Sequence, residues 1–216
     1  MYFRISKSLD RKIIGSASDQ AIHAKIDIHI DHPNYFTHHL LKKVENVEDI
    51  VCPKPILEKN AKLTDLITYP GIGGSILVSN KLKKILYACN HSGIQYFPTS
   101  LIADNTEMPD YWIVNPYQFD YDCIDLTKTR LTIKNFENHS SEIKTLSDKN
   151  ELIRLIEDYR FPILATLDPF YLKEDSKIDL IIMRNVYSAI GFYVSEKLKK
   201  EIEDGGCTGI VFIKPE

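Results

Sequence analysis

The sequence predicts an α+β fold of mixed sheets with a few packed helices. Short apolar runs of strand length outnumber helical periodicities and do not alternate with them in a regular way. A strand, cap, helix, turn and strand unit occurs twice, at an offset of 116 residues. The chain has 216 residues, 44% apolar and 26% charged, which is enough to bury a core without a staple of disulfides or metal.

Taken in order, Met1–Lys7 alternates apolar and polar residues, as a strand does. Ala24–Ile30 reads as an amphipathic strand with Ile26, Ile28 and Ile30 inward and Asp27, His29 and Asp31 toward water. Phe36–Val44 has helical spacing, and Gly71-Ile-Gly-Gly74 and Pro98 mark loops. Residues 76–97, ILVSNKLKKILYACNHSGIQYF, then align without a gap on residues 192–213, FYVSEKLKKEIEDGGCTGIVFI. Ser79 and Ser195 end apolar runs and are placed to cap the helices that follow. Gly93 and Gly209 close those helices and open apolar stretches at Ile94 and Ile210. The spacing leaves open whether the flanking strands are parallel neighbours or belong to different sheets. Further strands are expected at Tyr111–Val114, Asp122–Leu126, Leu131–Lys134, Ile163–Leu167 and Lys177–Met183. Lys149–Tyr159 is helical in period, and Asn138–Ser147 reads as a linker. The expected organisation is one domain over residues 1–216, with two pseudo-repeat halves, 1–103 and 104–216, as the alternative division.

Charge narrows the function. Lys and Arg number 27 against 30 Asp and Glu, a balance that argues against nucleic-acid binding. The sum hides a segregation, because residues 104–125 carry six acidic side chains and no basic one. Cys52, Cys89, Cys123 and Cys207 form no C-x-x-C pair and read as reduced thiols. The N-terminus lacks a basic start followed by an apolar run, and no stretch approaches the roughly 20 apolar residues of a membrane span. A cytoplasmic protein without a membrane partner is expected, and no cofactor is implied.

Few chemical constellations present themselves. Asp27-Ile-His29-Ile-Asp31-His32 resembles the H-x-H-x-D-H ligand run of metallo-β-lactamase-fold hydrolases, with Asp27 in place of the first His. Its competitor is the amphipathic strand already described. His38 and His39 are adjacent and point apart on either a helix or a strand, and the glycine loop lacks the lysine of a phosphate cradle. Ser79 and Ser195 are better caps than nucleophiles, and the lysine triplets of the two repeats read as solvated helix faces.

The acidic stretch is the stronger candidate. Asp104, Glu107, Asp110, Asp120 and Asp122 interleave with Tyr111, Trp112, Tyr117 and Tyr121. Aromatic side chains give large rigid contact area at interfaces, and carboxylates steer a basic partner toward it. The competing reading makes Trp112, Ile113 and Val114 a core strand with acids on its loops.

The start of the second helix, Val194–Leu198, the strand Gly209–Phe212, the segment Tyr111–Tyr117 and the run Asp122–Asp125 resemble immunity proteins of bacterial polymorphic toxin systems. Gly73-Gly74 through Pro98 resembles the corresponding first half. The resemblance implies a non-enzymatic protein that binds a cognate toxin and blocks it, with no catalytic residues to carry over, and the acidic stretch makes a basic toxin the expected partner. The alternatives are a general protein-interaction module sharing the acidic surface and a metal-dependent hydrolase using Asp27, His29, Asp31 and His32.

Overall fold

The computed structural model describes residues 1–15, 19–158, 162–167, 170–173, 176–184 and 190–214. Along the chain run β1 (Tyr2–Lys7), α1 (Arg11–Ile14), β2 (Ala21–Lys25), β3 (Lys54–Leu57), β4 (Leu66–Ile67), β5 (Ile76–Ser79), α2 (Asn80–Ala88) and β6 (Ile94–Ala103). They are followed by β7 (Thr106–Pro116), β8 (Arg130–Asn135), β9 (Ser140–Thr145), α3 (Lys149–Asp158), β10 (Ile163–Leu167), β11 (Leu180–Arg184), β12 (Ile190–Ser195), α4 (Glu196–Asp204) and β13 (Ile210–Ile213). The fold is α+β, with sheets ordered β2-β3-β6-β7-β5-β4, β11-β12-β1-β13 and β10-β8-β9.

Both repeat units fold as their sequence dictates. The Ser79 hydroxyl accepts the Leu82 N–H at 3.3 Å and the Ser195 hydroxyl accepts the Leu198 N–H at 3.2 Å, so each serine caps its helix. Leu82 and Leu86 of α2, like Leu198 and Ile202 of α4, are buried between the two larger sheets. The flanking strands lie in one sheet but are not neighbours. β7 pairs antiparallel with both β5 and β6, and β1 pairs antiparallel with both β12 and β13. Thus β1 stands in the second sheet where β7 stands in the first.

The correspondence extends residue by residue. Val78 faces Trp112 and Val194 faces Phe3; Tyr96 faces Val114 and Phe212 faces Ile5. The Lys83 ammonium lies 3.0 Å from the Trp112 ring centroid, and Lys199 lies 4.9 Å from that of Phe3. Asp65 accepts from the Ser79 hydroxyl at 2.6 Å and pairs with Lys81 at 3.0 Å. Asp179 does the same with Ser195 at 2.8 Å and Lys197 at 3.3 Å. Each aspartate also takes a backbone N–H from the loop after the other unit's helix, Thr208 for Asp65 and Asn90 for Asp179. Two interleaved units therefore clamp each other about a pseudo-twofold axis, and the middle strand of the C-terminal unit comes from the other end of the chain.

Three apolar clusters result. The first fills the space between the two large sheets and their helices. The second lies between the β11-β12 side of the four-stranded sheet and the β8–β10 sheet with α3, around Leu131, Leu152, Ile181 and Tyr193. The third is on the far face of the six-stranded sheet, where Phe36, Ile50 and Ile72 cover Leu77, Phe97 and Ile113.

Several expected elements differ. The strand expected at Ala24–Ile30 ends at Lys25, and Ile26 and Ile30 are exposed. The His29 and His32 rings accept the N–H groups of Asp31 and Asn34 and turn the chain instead. Phe36–Val44 is not an α-helix. Only Phe36–His39 forms a 3₁₀ turn, because the Asn115 carboxamide draws out the next segment by accepting the Leu41 N–H and donating to the Lys42 carbonyl. Pro98 lies inside β6 opposite Trp112, just before a bulge at Thr99/Leu101, the kind of place where a strand tolerates a proline. Asp122–Leu126 holds a 3₁₀ turn and a single bridge from Ile124 to Leu172. The expected linker Asn138–Ser147 contains β9, whose weak apolar pattern reflects an exposed edge strand. Tyr159, the expected end of the third helix, lies outside the described residues.

Candidate functional site

The β6–β7 ribbon organises the acidic stretch. Its two-residue turn, Asp104-Asn105, has φ of 48° and 63°, the left-handed pair that a tight hairpin demands and that Asp and Asn tolerate best. Past the turn, Glu107 and Asp110 are exposed, Asp110 at φ 68° opposite the bulge. Glu107 accepts from the Ser100 hydroxyl at 2.7 Å and pairs with Lys54 at 3.0 Å. Those bonds hold its carboxyl below the usual carboxylate range. The 3₁₀ turn Val47–Asp49 packs along β6, and Glu48 acts together with Asp110 on the Lys83 ammonium. Among the described residues Asp104, Asp110 and Glu48 make no ion pair. Sequence order could not reveal Glu48, which reaches this surface only through sheet packing.

Tyr111 and Trp112 follow on β7 and are half-buried. The Tyr111 hydroxyl donates to the Thr64 carbonyl at 3.3 Å, and burial pushes its pKa up to about 12. Trp112 is covered by Lys83, so its face belongs to the packing of α2 on the sheet. Burial lowers the Lys83 pKa.

The remaining candidates lie beyond the other end of β7, roughly 30 Å from Glu107 at about 3.3 Å per residue. Tyr117 is half-buried, with Lys43 5.9 Å from its ring centroid. The Tyr121 hydroxyl donates to the Arg184 carbonyl at 3.4 Å, and Asp122, 81% exposed, pairs with Lys149 at 2.6 Å. Asp120 is only 7% exposed. It accepts the Ile182 N–H at 2.9 Å and the Ser92 hydroxyl, and donates its own N–H to the Ile182 carbonyl. It is withdrawn from any contact surface, and the acidic stretch divides into a distal and a proximal group.

Gln20 plays the Asp120 part in the other unit. It accepts the Thr68 N–H and donates its own N–H to the Thr68 carbonyl, each at 3.2 Å. The neutral amide shows what the buried charge costs. Burial raises the Asp120 carboxyl, and its two hydrogen bonds only partly offset this. A pKa raised by folding gives stability that is fully present below the unfolded value, about 3.9, and lost as pH rises through the folded value. Asp120→Asn is therefore expected to raise the melting temperature at pH 7, with the difference shrinking toward pH 4. A variant less stable than wild type at pH 7 in thermal melts would contradict this account.

The run Asp27 to His32 does not converge. Asp27 faces Lys54 at 2.9 Å and Lys25 at 3.5 Å, and its carboxyl is lowered chiefly by the bond from Lys54. His29 and His32 each turn back on their own loop, so the strand that would have aligned them is missing. Among the described residues no three His, Cys, Asp or Glu side chains are grouped to hold a metal ion. No described helix is long and apolar enough to cross a membrane.

Comparison with curated proteins finds no match. A family model described as "Immunity protein family (Imm11)" matches residues 44–216, from within the segment that covers the third cluster through both repeat helices. With most of its length so matched, the chain belongs to the Imm11 family of immunity proteins.

Proposed function

We propose that this protein neutralises a cognate toxin in the cytoplasm by direct, non-covalent binding without catalysis, and that the distal end of the β6–β7 ribbon is its principal contact. The observation that carries this reading is the group Asp104, Asp110 and Glu48, three carboxylates with no ion pair among the described residues, beside the exposed side chain of Ile56. Carboxylates free of ion pairs beside an exposed apolar side chain attract a basic partner and speed its approach. Glu107, held by Ser100 and Lys54, gives the ribbon a fixed edge, and Tyr111 and Trp112 stiffen it from below. Tyr117, Tyr121 and Asp122 would form a second, weaker contact at the other end.

The test is survival of cells co-expressing the protein with the toxin domain encoded beside it, together with the affinity of the purified pair at low and high salt. Changing Glu48, Asp104 and Asp110 to Lys is expected to abolish protection and weaken binding by about 100-fold, at about 1 kcal/mol per charge. Asp122→Lys should cost less than about threefold, as expected of an exposed, already paired charge. Protection that survives the triple reversal would remove the ribbon from the interface. A bound partner that is harmless when expressed alone would favour the general interaction module.

A further inference from the structure

The acidic ribbon has a counterpart of opposite sign on the same molecule. Helix α1 lies against the loop of residues 58–63, where the Lys62 N–H donates to the Ile14 carbonyl and the Lys62 ammonium to the Lys12 carbonyl, each at 2.8 Å. Gly15, at φ 77°, backs onto the Asn60 carbonyl. Ser8 and Thr64, at the margins of these two segments, both meet Gly209. One surface therefore carries Leu9, Ile13 and Leu63, which are 66%, 40% and 45% exposed. Single exposed aliphatic side chains are ordinary, but three gathered on one turn and one loop mark a contact surface.

Cations rim this surface. Arg11, Lys12, Lys59 and Lys62 are exposed, and none of them makes an ion pair among the described residues. The acidic residues of the two segments are Asp10, whose carboxylate accepts the Lys12 N–H at 2.8 Å and caps α1, and the half-buried Glu58. The distal ribbon is the reverse, with Glu48, Asp104 and Asp110 beside Ile56. Ile22, 53% exposed, adds to its apolar part, bulged out between the Ala21–Leu57 and His23–Ile56 pairs. We propose that these two surfaces are partners between copies of this chain, so that the acidic ribbon of one protomer docks on the α1 surface of the next. Unpaired charges of opposite sign face each other around aliphatic side chains in that contact, whereas ribbon on ribbon or α1 on α1 would oppose like charges. Patches of this size sustain a weak contact that yields to a tighter partner. The self-association stands apart from the toxin-binding reading, although a toxin would compete for the same carboxylates.

The test is sedimentation velocity of the full chain from about 10 to 300 µM. The weight-average coefficient is expected to climb with concentration at about 0.05 M salt and to stay at the monomer value at about 0.5 M, where the charges are screened. Changing Arg11, Lys12 and Lys59 to Glu should weaken association roughly tenfold or more, and acidic residues at the start of α1 favour its helix, so the variant should keep its fold. The ribbon variant with Glu48, Asp104 and Asp110 changed to Lys should behave likewise. A chain carrying all six changes has the net charge of the wild type and both patches reversed, and it should associate again. Leu9→Asn with Leu63→Asn, which alters no charge, should also weaken association about tenfold. A monomer throughout the concentration range, association that salt leaves untouched, or a Leu9/Leu63 variant that associates like wild type overturns the proposal. So does a six-residue variant that stays monomeric while its thermal melt matches wild type. The α1 variant is expected to bind toxin as well as wild type does. Failure of the toxin-binding reading would instead appear as a wild-type protein that gives no protection, whatever its sedimentation.

Discussion

Deleting residues 1–8 is expected to leave a chain with no cooperative unfolding transition, although the whole deletion lies outside the span matched by the family model. β1 is paired along both edges and buries Tyr2 and Ile5, one in each of two core clusters. The Tyr2 hydroxyl also donates to the Ile178 carbonyl at 2.7 Å. Losing two buried side chains costs about 2–5 kcal/mol each, and the two-sided ladder adds to that, against a typical total stability of about 5–15 kcal/mol. β12 and β13 would be left with unpaired backbone groups facing each other across an empty strand position. Thermal melts by circular dichroism with dye binding to exposed apolar surface would check this. A cooperative melt within a few degrees of wild type would show that β1 is an ornament of the sheet. Ile5→Ala should give the graded version, a loss of about 3 kcal/mol.

The second large effect is expected at the paired clamps. Asp65→Ala and Asp179→Ala should each cost about 2–4 kcal/mol, because each leaves a helix-capping serine, a lysine and a loop N–H without their common acceptor. For a chain of this length that corresponds to a fall in melting temperature of roughly 5–15 °C. By contrast, Lys81→Met should cost less than about 1 kcal/mol, since that lysine is largely exposed. Burial raises the Asp65 carboxyl, but the bonds from Ser79, Thr208 and Lys81 more than reverse this and leave it below its ordinary value. Asp179 behaves likewise through Ser195, Lys197 and Asn90. A lowered carboxyl gives stability that is present above the unfolded value and lost as pH falls through the folded one. Both alanine variants should therefore lose their deficit relative to wild type as the pH is taken below about 4. A deficit that is constant with pH would point to packing rather than charge.

The repeat was legible because the cap, the amphipathic helix and the glycine turn are local devices, each written within a few residues. Its clamp was not, since Asp65 and Asp179 lie outside the aligned segments and meet their partners only after the sheets form. The strand expected at Ala24–Ile30 failed for a related reason. Alternation is a sign of strand only where something waits to bury the apolar face, and Ile26 and Ile30 are left exposed. At the candidate site, the hairpin was hidden because Pro98, which reads as a loop, lies inside β6, whereas the acids and the strand at Tyr111–Val114 follow from the sequence. The burial of Asp120 does not. A carboxylate held in the interior by one backbone amide and one hydroxyl leaves no mark in composition. Glu48 was equally hidden, because it lies 56 residues from Asp104 in sequence.

The middle strand of the C-terminal unit is synthesised ahead of both its neighbours in the sheet, which do not yet exist when it leaves the ribosome. β12 and β13 follow about 190–210 residues later, a delay on the order of 10–40 s at 5–20 residues per second. Through that interval β1 is an unpaired strand carrying Tyr2, Phe3 and Ile5, and the N-terminal unit can form without it. The C-terminal unit cannot close until β13 is free to pair, and the Asp65 clamp also waits for Thr208. Closure thus waits for the synthesis of β13, and the loop that must be closed spans about 200 residues, a separation that slows folding.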